Sequence, residues 1–412
     1  MKPLMENLIG FTQTVKVGCG LDIHQNLIVA TVSPGQNQYE TKEFEAFTSS
    51  LKELSIWLVE KGVTHVAMES TGIYWKPVFN ILEENFEIIL VNARHIKNVP
   101  GHKTDKKDSK WISKLLLAGL LKGSFIPKQD IRELRDLFRY KKKLTAQNSS
   151  EKNRMIKVLE DANMKISAVL TDVHGISGTN IINDVIDGYC DVDSLMKHIH
   201  FRVKANRDSI RKALEGKITN HHRFMLKVMR KSIQDRDVLI SEIETQIEIA
   251  TAKYTLEIEL LQTIDGVGRE GAIGIISETG ANMNQFPNEH HLSSWAGLSP
   301  GNNESAGKKK STSVIKGNSH LKTLLVQCSW AATRKKNGFL SRKYNSIMVR
   351  RGRKKALIAV AHKIIIAAYH ILKNRIAYKE PDYHLDEKKA KRQICSHLAR
   401  LKELGYPVQV AM

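Results

Sequence analysis

Cysteine is scarce in this chain of 412 residues. Its four cysteines, at positions 19, 190, 328 and 395, are far apart, and no pair has the CxxC or Cys/His spacing of a metal site. This scarcity argues against a disulfide framework and against a zinc site. We interpret the four as reduced thiols of a cytosolic protein.

Long apolar runs are also missing, since the sequence has no uninterrupted run of the roughly 18 apolar residues that a membrane-spanning helix needs. The nearest candidate, ALIAVAHKIIIAAYHIL, is interrupted by His362 and Lys363 and is typical of a buried helix. The N-terminal residues contain no signal-peptide core. We therefore expect no membrane partner and a cytoplasmic location.

Acidic residues are absent from Ser305 to Lys379, a stretch that contains 19 lysines and arginines. The whole chain has a formal net charge of +21. Such an acid-free stretch favours a polyanionic partner, and its binding should weaken steeply with salt. A solvated basic surface or an anionic-membrane patch is the alternative.

The first part of the chain alternates between strand and helix patterns. Apolar strands are predicted at 16–22, 27–33, 64–68 and 87–91, and amphipathic helices at 48–61, 74–84 and 107–121. Strands that precede the first helix, followed by βαβ units, indicate a mixed sheet with helices on its faces. Three consecutive strands opening such a sheet, with acids at strand ends, resemble the ribonuclease-H-like architecture.

Beyond residue 130 the pattern becomes helical. Segments 130–165 and 203–258 are rich in charged and straight-chain residues, which predicts an antiparallel or coiled-coil arm, with a turn or short helical cap at 172–195. A simple helical spacer is the alternative interpretation. In LLQTIDGVGREGAIGIISETG, Gly266 and Gly268 lie between two apolar helices, as in a helix-hairpin-helix element whose backbone N–H groups approach a phosphate. A plain helix junction is the alternative.

Four carboxylates stand where a short α/β domain would bring chain ends together. Asp22 lies in the first hairpin, Glu69 ends a strand, and Asp105 and Asp108 lie three apart at a helix start, so that both point from one face. Taken singly, each has an ordinary explanation as a cap, a helix-dipole partner or a solvated strand end. Together they are typical of a site for Mg²⁺, with Mn²⁺ as a substitute, and two such ions can clamp a phosphodiester.

These motifs, GLDIH, MESTGIYW and KTDKKDSKWIS, in this order, resemble the DEDD transposases of bacterial insertion sequences. TIDGVGREGAIGIISETG and FPNEHHLSSWAGLSPGNNESAGKKKSTSVIKGNSHLKTLLVQCSWAA resemble the second half of that family. The likeness covers roughly 15–125 and 258–335. It implies a RuvC-like N-terminal domain whose acids Asp22, Glu69, Asp105 and Asp108 bind metal, and a location at the bacterial nucleoid.

The resemblance also implies a serine nucleophile in the C-terminal domain that becomes transiently joined to DNA. The matching residue is Ser305 in PGNNESAGK, although Ala306 stands where the family usually has glycine. Ser299, Ser311, Thr312 and Ser313 are competitors. The residues expected to hold nucleic acid are Gly266, Gly268, Lys308, Lys309, Lys310, Lys316, Arg350, Arg351 and Arg353.

The resemblance further implies guidance by a structured RNA that the element itself encodes, so that the expected partners are a guide (bridge) RNA as well as donor and target DNA. Backbone-reading cations with sequence delegated to base pairing are compatible with such guidance. A homo-oligomer, dimer or tetramer, is expected because rejoining four DNA ends needs at least two active sites.

The predicted fold class is therefore α/β plus all-α. The predicted domains are a RuvC-like DEDD domain at 1–128, a helical coiled-coil arm at 129–258, a mainly helical transposase domain at 259–380 and a C-terminal tail at 381–412. The predicted function is that of an insertion-sequence transposase or recombinase. A Holliday-junction-type metal-dependent nuclease and a non-catalytic nucleic-acid-binding scaffold are the alternatives.

Overall fold

A computed structural model describes residues 15–35, 38–70, 72–92, 105–301, 303–305, 308–311, 313–381 and 387–406. The chain divides into two compact units, with the boundary between Ile126 and Pro127. The first is a mixed α/β region and the second is mostly helical. This boundary lies close to the predicted one at 128, and the predicted limits of the arm, the transposase domain and the tail stay predictions.

The N-terminal unit contains one five-stranded mixed sheet in the order β3-β2-β1-β4-β5. Its strands are β1 (Gly18–Ile23), β2 (Leu27–Gly35), β3 (Gln38–Glu45), β4 (His65–Glu69) and β5 (Glu87–Val91). The first three pair antiparallel, whereas β4 pairs parallel with β1 and β5. The four apolar strands predicted from the sequence are confirmed.

β3 is the strand that apolar patterning did not locate. It lies at the edge of the sheet, and of its eight residues, QYETKEFE, only Phe44 is buried. An edge strand with one buried side chain has no alternating apolar pattern to detect, and its charges help to prevent pairing with another chain.

Helices cover both faces of this sheet. α1 (Thr48–Glu60) and α2 (Trp75–Leu82) contribute Leu54, Trp57, Phe79 and other side chains to the larger core on one face. On the opposite face, α3 (Asp105–Leu117) packs Ile112 and Leu116 against Ala67 of β4. The three predicted helices are therefore confirmed, and α3 is the helix that carries two of the four acids.

The predicted arm is an antiparallel pair of long helices, α4 (Gln129–Asp161) and α9 (Asn220–Thr251). Three contacts show the direction, because positions rising along α4 meet positions falling along α9. Lys141 Nζ lies 2.8 Å from a Glu244 carboxylate oxygen, Asn148 Nδ2 donates to Asp237 Oδ1 at 2.7 Å, and Asp161 Oδ2 lies 2.9 Å from His222 Nε2.

Between these helices lies a small helical domain, which we call the cap (residues 162–219). It contains α5 (Ile166–Val169), α6 (Ile176–Asp187), α7 (Val192–Met196) and α8 (Arg207–Leu214). Its apolar core is continuous with the ends of α4 and α9. The segment predicted as uniformly helical at 203–258 is interrupted between α8 and α9, where Thr219 and His222 form a capping box that starts α9.

The remainder of the second unit is mainly helical. Its helices are α10 (Thr255–Gln262), α11 (Arg269–Thr279), α12 (Glu289–Trp295), α13 (Ser319–Ala332), α14 (Phe339–Arg351), α15 (Arg353–Asn374) and α16 (Glu387–Glu403), with short 3-10 turns at Ala252–Tyr254 and Met283–Gln285. A two-stranded hairpin, β6 (Asn303–Ser305) and β7 (Lys308–Ser311), lies between α12 and α13.

Among the described residues, α15 is the one helix long and apolar enough to cross a membrane by length and composition alone. Half of its most apolar window is buried within the protein. Ile364, Ile365 and Tyr369 are among its buried residues, and α10, α12, α13 and α14 pack against it. It is therefore a central packing element of the C-terminal part, as its sequence predicted.

Candidate active site

Successive side chains of β1 point to opposite faces of the sheet, which places Asp22 on the face that α3 covers. Cys19, Leu21 and Ile23 belong to the larger core on the other face, whereas Gly18, Gly20 and Asp22 alternate with them. Because Gly18 and Gly20 have no side chains, α3 can approach this face of β1 closely. Asp22 is the next residue on the same face and therefore lies beside α3.

The two glycines are required by the close approach of α3. A Cβ on Gly20 would lie 2.2 Å from the carbonyl oxygen of Ser109 and 2.4 Å from the Ser113 nitrogen. On Gly18 it would lie 2.8 Å from Leu116 Cδ2. No side chain fits between strand and helix at Gly20, because backbone atoms cannot yield as a flexible side chain can.

Buried hydroxyl groups fasten the same contact. Thr31 Oγ1 lies 2.7 Å from Ser109 Oγ and 2.9 Å from Thr41 Oγ1, which links β2, β3 and α3. The Ser109 hydroxyl also donates to the Lys106 carbonyl oxygen. These bonds hold the first turn of α3, and therefore Asp105 and Asp108, near the end of β1.

Asp22, His24 and Asp105 form the closest cluster at this position. His24 Nε2 lies 3.3 Å from Asp22 Oδ2 and 3.4 Å from Asp105 Oδ1. One ligand atom of each of the three lies within 4.8 Å of the others. The Asp22 side chain is mostly buried, at 14% exposed, whereas those of His24 and Asp105 are half exposed.

Burial raises the pKa of the Asp22 carboxyl above its ordinary value. The charge and hydrogen bond of His24 oppose that shift, and the charges of Asp105 and Asp108 add to it. Three acids that repel one another, with the Asp22 carboxyl mostly buried, are unfavourable without positive charge. The donor set of carboxylate oxygens and an imidazole nitrogen therefore fits a divalent cation.

Glu69 and Asp108 lie near this cluster but outside its tightest part. Glu69 is the last residue of β4, one position after Met68, which pairs with Leu21; Asp22 likewise follows Leu21. Asp108 lies in the first turn of α3 and contributes to the raised pKa of Asp22. Both are half-buried. The sequence thus predicted two of the three clustered residues.

His24 is the member of the cluster that sequence patterns did not reveal. A single histidine next to a turn has no partner at a recognisable ligand spacing, so no sequence pattern marked His24 as a metal ligand. The signal was its position two residues after Asp22, since alternate residues along an extended segment share a face.

Ser305 belongs to the second unit, at the end of β6. Its backbone pairs with Lys308 of β7, so it stands next to the tip of the hairpin. The alternatives Ser311 and Ser313 lie farther down, at the end of β7 and in the segment after it. Residues 302, 306, 307 and 312, including Ala306 and Thr312, lie outside the described residues.

The base of this hairpin is held by backbone contacts. The Gly301 N–H donates to the Ser313 carbonyl at 2.9 Å, and the Asn318 N–H donates to the Trp295 carbonyl at 3.0 Å. A Cβ on Gly317 would lie 2.3 Å from the Gly297 nitrogen. Gly297 and Gly317 therefore let the segments that precede and follow the hairpin approach each other closely.

A buried carboxylate anchors the outgoing side of the hairpin. Glu278 of α11, 2% exposed, accepts two hydrogen bonds at 2.8 Å from Arg139 of α4 and one at 2.6 Å from Asn318 Nδ2. Burial acts to raise the pKa of Glu278, but Arg139, Asn318 and Arg135 outweigh it and hold that pKa below its ordinary value. Asn318 Oδ1 also accepts from the His320 N–H and so caps α13.

The two glycines of the predicted helix-hairpin-helix have different surroundings. Gly266 has a positive φ of 82°, and a Cβ there would lie 2.4 Å from both the Ala332 nitrogen and the Cys328 carbonyl oxygen. Its turn therefore packs on α13 of the same unit. Gly268 is exposed at the start of α11, and a Cβ on it would meet no atom within 4 Å, so it is the glycine with room for a phosphate.

The predicted arginines surround a sharp break between two helices. Arg350 and Arg351 end α14, Gly352 has a φ of 82°, and Arg353 begins α15. All three arginines are exposed, as is Lys316. A cation at the start of a helix opposes the helix dipole, so helix stability does not explain Arg353. Lys308, Lys309 and Lys310 lie on β7.

Two regions of the chain match models of known families. Residues 19–164 match the family model of the DEDD transposase of IS110, and residues 258–345 match that of the transposase IS116/IS110/IS902 family. A comparison with curated proteins found no match. The two matched regions together cover more than half of the chain and include Asp22, Glu69, Asp105, Asp108 and Ser305. The chain therefore belongs to the IS110 family, and it is a DNA transposase.

Proposed function

We propose that this transposase cuts and rejoins DNA through a transient serine–DNA linkage, with Ser305 as the nucleophile and Asp22, Glu69, Asp105 and Asp108 as the metal-binding acids. The observation that carries the proposal is the convergence of Asp22 and Asp105 on His24, from a strand end and a helix start. The strand order, three antiparallel strands followed by two parallel ones, supports a ribonuclease-H-like, RuvC-like fold for this unit.

The acids would hold Mg²⁺, or Mn²⁺ in its place. Asp22 and Asp105 offer oxygens within 4.8 Å of each other. Glu69 at the end of β4 and Asp108 in the first turn of α3 would complete the set. When bound, a divalent cation supplies positive charge against the negative charge that develops on the reacting phosphate. The chain's own contribution is to hold the carboxylates together against their repulsion, through the contact of α3 with β1.

Ser305 would attack the phosphorus of a DNA phosphodiester. A bond forms between the serine oxygen and phosphorus, the ester bond to one deoxyribose oxygen breaks, and that oxygen takes up a proton. A hydroxyl group of a second strand then reverses the exchange and frees the serine. A serine hydroxyl is a weak nucleophile until its proton is removed, and the segment SPGNNESAGKKK has no histidine to accept it, so we assign this help to the acid site.

Lysines around the hairpin would hold the scissile strand. Lys308 pairs with Ser305, Lys309 and Lys310 follow it on β7, and the exposed Lys316 precedes α13. Gly268 would offer its backbone N–H to a phosphate at the start of α11. Gly266 would contribute indirectly, by forming the turn that presents Gly268. Cations of this kind position DNA without reading its sequence.

We further propose that a guide RNA supplies the sequence specificity. The family resemblance suggests such an RNA, and the exposed cluster of Arg350, Arg351 and Arg353 supports binding to a phosphate backbone. A protein that reads backbones and leaves sequence to base pairing needs many exposed cations and few shape-specific pockets. The acid-free stretch has that composition.

The arm would join two copies of the chain. On α9, Phe224, Val228, Val238, Leu239 and Ile249 are exposed, and at about 100° per residue they fall on one side of the helix, opposite the face that packs on α4. A second copy of this chain can bury the same stripe isologously. Val238→Glu with Leu239→Glu should then shift the full chain towards monomer by light scattering, and an unchanged mass would reject this interface.

Incubation with Mg²⁺ and element-end DNA tests the proposed chemistry. A protein-linked DNA band that disappears in Ser305→Ala and persists in Ser311→Ala supports the serine recombinase. Free nicks without a linked band would instead indicate a nuclease, and neither product would indicate a binding scaffold. An adduct that persists in Ser305→Ala would move the assignment to another serine.

A further inference from the structure

The cap contains a short basic segment that lies outside the acid-free stretch. From Lys197 to Arg207 the sequence KHIHFRVKANR has four lysines and arginines, two histidines and no acid. His198 is engaged within the cap, because its Nε2 lies 2.6 Å from Asp184 Oδ2. The remainder of the segment joins α7 to α8 and carries charge that the helical core does not need.

Phe201, in the middle of this segment, is 84% exposed. The His200 ring lies 4.3 Å from the Phe201 ring between centroids, and the Arg202 guanidinium lies 5.5 Å from the centroid of the Phe201 ring. A phenyl ring in solvent contributes nothing to the cap core. An exposed aromatic ring beside a cation is the arrangement on which an unstacked base packs.

A cavity of about 600 Å³ is lined by His200 and Arg202, the residues on either side of Phe201 in the sequence. Its lining also includes Lys204 and Ile176, and Ile176 is itself 78% exposed. The one acid in the lining, Asp172, accepts the His174 N–H at 2.9 Å and thereby forms the turn before α6. The volume lies within the range of small-ligand sites, about 300–1,000 Å³, and its fixed charge is positive.

We infer that the cap binds an unpaired nucleotide of a single-stranded nucleic acid, with the base stacked on Phe201 and the phosphate held by Arg202 and Lys204. This inference rests on the proposed function, in which the protein binds both a guide RNA and the DNA that it cuts. The positive charge favours a polyanionic partner over an apolar protein surface, and the exposed aromatic ring favours an unstacked base over a duplex backbone. Unpaired RNA and unpaired DNA share this chemistry.

Photo-crosslinking of the full chain distinguishes these two sources. The probes are single strands that carry 4-thiouridine or 4-thiothymidine, and a duplex of the same length is the comparison. A crosslink within residues 197–207 to the RNA strand, the DNA strand or both supports the inference and names the source. Crosslinks found only elsewhere in the chain, with the strands bound, would overturn it.

Substitutions at Phe201 supply the second measurement, since an exposed side chain can be changed without loss of the fold. Phe201→Leu should reduce the crosslink at the cap and weaken single-strand binding about ten-fold, because stacking is lost. Phe201→Trp should retain both the crosslink and the affinity of the unsubstituted chain, because tryptophan also stacks on a base. Lys217→Ala, which removes an exposed cation of the cap outside the cavity, should change neither the crosslink nor the affinity. Equal crosslinking by Phe201→Leu and the unsubstituted chain would reject the site.

The result also separates this inference from the proposed function. A chain that binds neither RNA nor DNA would refute both. Strand exchange through Ser305 with unchanged binding in Phe201→Leu would refute the cap site alone.

Discussion

The acid site of the N-terminal unit and the basic surfaces of the helical unit are built in opposite ways. Asp22, His24 and Asp105 are few, close together and held by a strand–helix contact that excludes even a methyl group at Gly20. Among the cations of the second unit, Lys316, Arg350, Arg351 and Arg353 are exposed, and they lie on a loop and at helix ends. The proposed roles account for this difference, because bond exchange depends on positions to within an ångström, whereas phosphate attraction depends on summed charge.

Asp105→Asn should have the largest effect, a loss of DNA cleavage of about 10³-fold or more, because the change removes one charged oxygen of the metal set. Folding and DNA binding should remain close to normal, since the Asp105 side chain is half exposed. The matched control is Glu53→Gln, an exposed position on α1. Undiminished cleavage by Asp105→Asn would remove this residue from the site.

Gly20→Ala should follow, with a fall in cleavage of about 100-fold, because the added methyl group must displace α3 and with it Asp105 and Asp108. Circular dichroism and DNA binding show whether the unit still folds. Gly123→Ala is the control, since its Cβ would only contact Ile89 Cγ2 at an ordinary 3.5 Å. Normal cleavage by a folded Gly20→Ala would mean that the placement of α3 is not limiting.

A graded effect is expected in the basic region. Replacing Arg350, Arg351 and Arg353 together by alanine should weaken RNA and DNA binding across sequences and flatten the log–log salt dependence by up to about 3 units. Lys52→Ala, an exposed cation on α1, should leave the slope unchanged. An unaltered slope in the triple variant would place these arginines away from the nucleic acid.

Glu278→Gln should change stability more than chemistry, by about 3 kcal/mol, because it leaves the guanidinium groups of Arg135 and Arg139 without their carboxylate. The lowered pKa of Glu278 means that the unfolded chain takes up this proton at a higher pH than the folded chain. The stabilisation is therefore complete above the ordinary glutamate range, about pH 5, and is lost as the pH falls towards the folded value.

Urea unfolding measured between neutral and acid pH tests this prediction. The difference between the unsubstituted chain and Glu278→Gln should shrink as the pH is lowered, and Glu259→Gln, at an exposed position on α10, should show little difference at any pH. A difference that does not depend on pH would assign the stabilisation to packing.

The sequence was informative wherever burial leaves a pattern. The apolar strands, the helices around them and the arm could be predicted, because one face of each element is buried and its residues repeat at the matching period. β3 escaped because only Phe44 is buried, and the break before α9 escaped because the charged segment around Gly216 keeps helical composition on both sides.

The candidate site was predictable to a different degree. The acids could be named because carboxylates at strand ends and a helix start are few and chemically specific. His24 could not, since its role depends on the distance to Asp105, which lies eighty-one positions later and is brought near by the contact of Gly20 with Ser109. The packing of Gly266 on α13 was equally hidden, because a glycine needed for phosphate and one needed for helix contact look alike in sequence.

The most direct test of the serine–DNA linkage is to identify the residue that becomes joined to DNA. The protein is incubated with Mg²⁺ and element-end DNA, the linked species is digested, and the modified peptide is sequenced by mass spectrometry, with Asp105→Asn treated in parallel. We predict a nucleotide on Ser305 in the unsubstituted chain and no linked peptide in Asp105→Asn. DNA cut without any linked peptide, or a linkage on a different residue, would contradict this prediction.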